Sequence, residues 1–128
     1  MARWSEVHNF LLTKFEVAGE EDGHTSLVWS WRDGRKQKIQ VSYRDAFGRG
    51  LLHIRSSFAH EDEVDAIALL RMNRELPFAT VALMGDTWYV VYNALIQNMA
   101  LDEVEFCMAR VAAVADTLEE QFLGRDEH

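Results

Sequence analysis

Five histidines, one cysteine and a run of carboxylates are the residues of this chain with the chemistry to ligate a metal or move a proton. The densest donor run is His60-Glu61-Asp62-Glu63. Consecutive positions on a helix point in different directions, so such a run does not converge on one ion. The second histidine that a zinc-protease helix carries four residues on is replaced here by Val64. The run therefore reads as an acidic first helical turn. His53 falls in an expected strand near Arg55, and His8 near the apolar face of the first helix; both read as packing or surface residues. Cys107 sits between Phe106 and Met108 and reads as a half-buried, inert thiol, because a nucleophile would need a histidine beside it. Gly48-Arg49-Gly50 lacks the third glycine of a phosphate loop and leads into a strand. The expectation is a chain with no catalytic residues, no metal site and no cofactor. The competing reading is a small metal- or thiol-dependent enzyme using His53, His60 or Cys107.

Two sets of residues suit binding. One is basic and surrounds an expected hairpin: Arg32, Arg35, Lys36, Lys38, Arg44, Arg49 and Arg55. It reads as a solvated strand face or as a surface for an acidic partner. The other is aromatic: Trp29, Trp31, Tyr43, Trp88, Tyr89 and Tyr92. Part of it must fill a core, and the remainder would offer an extended peptide contact area at low entropy cost. Trp29, Trp31, Trp88, Arg35, Lys36 and Lys38 are the candidate partner-binding residues.

Charge is unevenly spread. The net charge is −8, yet residues 59–128 hold four basic against fourteen acidic residues, whereas residues 1–58 hold nine against seven. The acidic half would repel phosphate backbones, so no nucleic-acid partner is expected. With 128 residues, 48% of them apolar, and one proline, the chain has the material for a single folded domain. No apolar run is long enough to span a bilayer, and the N-terminal residues lack an apolar secretory core. A cytoplasmic protein with no membrane partner is expected, and the lone cysteine excludes an intramolecular disulfide.

The elements that would position these residues follow from periodicity. A first helix is expected from about Ala2 to Val17, with Trp4, Val7, His8, Leu11 and Phe15 on one face, followed by a loop from Gly19 to His24. Thr25 to Arg32 alternates as a strand, and Gln37, Ile39, Val41 and Tyr43 mark its partner. A two-residue Asp33-Gly34 loop would place the tryptophans with Lys36 and Lys38. A three-residue Arg32-Asp33-Gly34 loop instead sets Trp29 opposite Gln37 and Leu27 opposite Ile39, uniting the apolar face, so burial selects it. Leu52, Ile54 and Phe58 suggest a third strand, His60 to Leu76 a second helix, and Phe78–Met84 with Thr87–Ala94 a second hairpin. Leu101, Val104, Met108, Val111, Ala115, Leu118 and Phe122 draw one stripe on a closing helix. This is an α+β chain of order α-β-β-β-α-β-β-α with an antiparallel sheet. The second helix is apolar over more than one stripe, which points to a homodimer whose interface includes Val64, Ile67, Leu69, Leu70 and Met72.

Leu70-Arg71-Met72-Asn73-Arg74-Glu75-Leu76-Pro77-Phe78, Leu83-Met84-Gly85-Asp86-Thr87-Trp88-Tyr89-Val90 and Leu101-Asp102-Glu103-Val104-Glu105-Phe106 together resemble the YbjN-like family of bacterial sensory transduction regulators, which shares the fold of type III secretion chaperones. The resemblance covers residues 60–123. It implies a compact, usually dimeric domain without catalytic residues, acting as a chaperone-like or regulatory binder of an extended client segment. A dedicated secretion-effector chaperone is the narrower version of that reading.

Overall fold

The computed structural model describes residues 3–21 and 23–124. The chain runs α1 (Trp4–Lys14), β1 (Glu16–Glu21), β2 (His24–Ser30), β3 (Lys36–Ala46), β4 (Arg49–His60), α2 (Ala66–Met72), β5 (Thr80–Met84), β6 (Thr87–Leu95), a single 3₁₀ turn at Ile96–Asn98, and α3 (Leu101–Leu123). All strands pair antiparallel in one sheet of order β1-β2-β3-β4-β6-β5. The α+β class and the alternation of helices with strand runs are as the sequence indicates, with one strand more.

That strand is β1. The first helix ends at Lys14, Phe15 is extended, and Glu16–Glu21 pairs with β2 where a helix end and a loop were expected. Its glutamates carry no apolar alternation, and it slips register between Val17 and Gly19, so nothing local marks it as a strand. Pairing with the tryptophan-bearing β2 creates it. The expected helix start at Ala2 lies outside the described residues, as does Asp22 of the expected loop.

The second helix is also shorter than expected. The β4–β6 ladder continues to His60, which faces Thr87, and the Glu61 amide donates to the Asp86 carbonyl at 2.8 Å. The acidic run is thus a turn, and the Asp65 side chain caps the helix by accepting from the Ile67 amide at 3.1 Å. At its far end Asn73 clamps α2 to β5: its amide nitrogen donates to the Val81 carbonyl at 3.2 Å, and its oxygen accepts from the Val81 amide at 2.6 Å.

α3 lies across β3, β4 and β6, while α2 rests on β5 and α1 touches β1 and α3. The stripe Val104, Met108, Val111, Ala115 and Leu118 is buried, with Leu101 and Phe122 packed at its ends. It meets Leu27, Ile39, Val41, Leu52, Ile54 and Val90, all essentially without exposure. Each such side chain contributes about 1.5–3 kcal/mol on leaving water. Among the described residues, the other face of the sheet carries no helix.

The first hairpin has the three-residue loop. Trp29 faces Gln37 and Leu27 faces Ile39. The Trp31 amide donates to the Arg35 carbonyl at 2.9 Å, enclosing Arg32-Asp33-Gly34, with Gly34 at φ 92°. A Cβ at Gly34 would meet open space, so the whole cost of a substitution there is conformational. Gly34→Val should therefore lower the unfolding free energy by about 1–3 kcal/mol in urea titration, and an unchanged midpoint would show that the loop relaxes freely.

Candidate functional site: the open face of the sheet

Strand register places a second set of side chains on the helix-free face: Val28, Leu51, Ala82, Met84, Val91 and Leu95 are apolar, and the polar ones cluster on β3 and β4. Along β3 these are Lys36, Lys38, Gln40, Ser42 and Arg44; along β4, Arg49, His53, Arg55 and Ser57. Ser42 faces His53, and His53 faces Asn93 on β6. The rings of His24 and His53 meet edge-on, 5.9 Å apart. One polar row thus crosses β2, β3, β4 and β6. The row below it is a hydrogen-bonded chain: Arg55 Nε donates to Gln40 Oε1 at 2.8 Å, and Gln40 Nε2 donates to Ser26 Oγ at 3.1 Å. The Arg55 guanidinium also lies over the Tyr89 ring, 4.4 Å from its centre.

His53 is 4% exposed although no helix covers it. Its Nδ1 stands 2.8 Å from Asn93 Oδ1, so Nδ1 carries the proton and Nε2 presents a bare lone pair. That Nε2 and the neighbouring Ser42 Oγ are both buried without a hydrogen-bond partner. Loss of water pushes the His53 pKa below the usual 6.5; the Asn93 bond opposes this, and Arg44, His24 and Arg55 reinforce it by repulsion.

Cations dominate this face. Lys36, Lys38, Arg44, Arg49 and Arg55 lie on it, and the strands add only Glu16 and Glu21, both on edge strand β1. Lys38 is paired with Glu21 at 2.7 Å. The β3–β4 hairpin ends in a two-residue loop, Phe47-Gly48, with φ 55° and 76°. Such a loop favours Asn, Asp or Gly, and a bulky residue in it is strained by about 1–2 kcal/mol. The Phe47 ring is nonetheless fully exposed, at 106%.

The six candidate partner residues do not form one surface. Trp88 is 1% exposed and belongs to the core, so it offers nothing to a partner. Trp29 and Trp31 lie half-buried on the helix side, Trp29 stacked on Phe15. Arg35 is committed within the fold: it pairs with Asp116 of α3 at 2.5 Å and with Asp33 at 2.8 Å, and it lies over the Trp31 ring. Only Lys36 and Lys38 reach the open face. Tyr89 is the one member of the aromatic set that joins them there. Ser42, Asn93 and Phe47 escaped the sequence reading. Ser42 was visible as the polar half of the β3 alternation, whereas the Asn93 contact needs a long-range register that no local pattern encodes.

The other chemistry-bearing residues stand apart. Cys107 is buried on α3, under the opposite face from His53, and burial raises its thiol pKa. His60 is exposed at the end of β4. Among the described residues no three of His, Cys, Asp and Glu converge to hold a metal ion, and no helix is long and apolar enough to cross a membrane. Neither the family models nor the curated proteins compared with this chain match it.

His53 gives this face a pH signature. The unfolded chain takes up a proton near pH 6.5, but the folded chain does so only at lower pH, so stability is present above the unfolded value and is lost as pH falls through it. Urea midpoints taken at about pH 7.5 and about pH 5.5 should fall less for His53→Gln than for wild type. Equal falls would show that His53 takes up its proton without resistance in the folded state.

Proposed function

We propose that this chain is a non-enzymatic protein-binding domain, chaperone-like or regulatory, that acts as a homodimer in the cytoplasm. The observation that carries the reading is the division of the sheet. One face is covered by three helices, and the other is left without one among the described residues, with charged side chains clustered along β3 and β4. A sheet needs cover on one face only to fold, so an uncovered face six strands wide is available to a partner. The separation of His53, His60 and Cys107 supports binding over chemistry. The resemblance to YbjN-like regulators and secretion chaperones supports a protein segment as the ligand.

Selection from a random peptide library displayed on phage tests this. Enriched sequences whose binding protects a defined face from hydrogen exchange are the expected result. No enrichment over successive rounds would sink the reading.

The dimer proposal has support on α2. Ile67 and Leu70 project outward at 54% and 51% exposure, whereas Leu69 is fully buried, and Val64 and Met72 pack partly against the core. The five residues expected at an interface therefore divide between core and surface. Leu70→Glu should give a folded monomer by light scattering and circular dichroism, while Leu69→Glu should unfold the chain by burying a charge. Wild type that is already monomeric at micromolar concentration would refute the dimer.

A further inference from the structure

The cations of the open face form a line. Arg49 faces Ala46 at one end of the β3–β4 pair; Arg44, then Arg55, Lys38 and Lys36 follow along the same face. From Ala46 to Lys36 the line covers ten residue steps, roughly 34 Å at about 3.4 Å per residue. Side chains on one face of a strand repeat every second residue, so the cations recur at roughly 7 Å or its multiples. In the middle, between Arg44 and Arg55, the line is interrupted by Ser42 and His53, whose Oγ and Nε2 lack hydrogen-bond partners. At one end stands Phe47, exposed and held in a left-handed turn that a glycine would adopt without strain.

We propose that this line receives an extended acidic segment of a partner protein, its carboxylates at alternate positions against the arginines and lysines and an apolar residue against Phe47. The inference rests on the binding-domain reading and specifies the partner's chemistry. Charge complementarity is the first argument: five cations lie on the face, and its two carboxylates are confined to the edge strand. The side chains of Lys36, Arg44 and Arg49 make no hydrogen bond or ion pair among the described residues and are available to an incoming carboxylate. Spacing is the second argument, because an extended peptide repeats its side chains with the same period as the strand beneath it. A nucleic acid would also bring regularly spaced anions. However, Tyr89 is the only Phe, Tyr or Trp ring the strands place on the flat of this face, Arg55 already covers it, and the His24 and His53 rings are buried, which leaves no exposed stacking platform for bases. The net charge of −8 further disfavours a polyphosphate.

The test is fluorescence anisotropy with four labelled probes: a twelve-residue peptide alternating Glu and Ser, a Lys–Ser counterpart, a dT12 oligonucleotide, and the Glu–Ser peptide with a terminal Leu. Both Glu–Ser peptides should bind in a salt-sensitive way, the Leu form more tightly, and the Lys–Ser peptide should not bind. Arg44→Gln with Arg49→Gln should weaken the peptide about tenfold, as expected for two partly exposed ion pairs. Phe47→Gly should raise the urea midpoint and remove the advantage of the terminal Leu, which separates a binding role from a structural one. The inference is overturned if dT12 binds more tightly than the peptides, if the double variant binds as wild type does, or if the double variant abolishes self-association of the wild type. A library that enriches other sequences while the Glu–Ser peptides fail would retain the binding domain and discard only this partner.

Discussion

Parity in the strand ladder governs this protein. Side chains alternate between the two faces, so the pairing of β2 with β3 decides which half of every following strand lies under the helices. With Gly34 closing a three-residue loop, Leu27, Ile39, Val41 and Ile54 fall beneath α3, and Lys36, Lys38, Arg44 and Arg55 face away. A slip of one residue would drive those cations under α3 at several kcal/mol each and turn the aliphatic set outward. Arg35 reinforces the register from outside the ladder, since its pairing with Asp116 ties the hairpin loop to the closing helix.

Where hydrophobic period and turn chemistry agreed, the sequence was readable. The α3 stripe and the loop of the first hairpin are of this kind, because each is set by residues close together in the chain. Where one strand's identity depends on another, it was not. Glu16–Glu21 becomes a strand only by pairing with β2, and His60 joins β4 only because Thr87 lies opposite. The candidate face shows the same division. Its basic residues stand out in the sequence, but the contact of His53 with Asn93 spans forty positions and follows from the β4–β6 register. Trp88 misled for a related reason: its size marks it for contact, and the fold spends that contact on its own core.

Segregation of charge follows from the same geometry. Helix α3 carries six acids against one arginine, and the open face carries five of the nine bases of the first half. The molecule is therefore dipolar across its sheet, and a net charge of −8 conceals a surface of the opposite sign. An incoming acidic chain would be repelled from the helical side and drawn to the other, so orientation is set before contact.

The two borders of the sheet are unlike each other. β1 carries Glu16, Glu20 and Glu21 and breaks its ladder at Val17 and Gly19, features that discourage a further strand from adding there. β5, at the other border, is five residues long and uncharged. A molecule with one receptive border and one blocked border can join only one neighbour in this way. Two copies meeting through β5 would use up every receptive border, and growth would stop at the pair. The edge strand that looked least like a strand in the sequence thus carries the features that would limit edge-to-edge growth of this sheet.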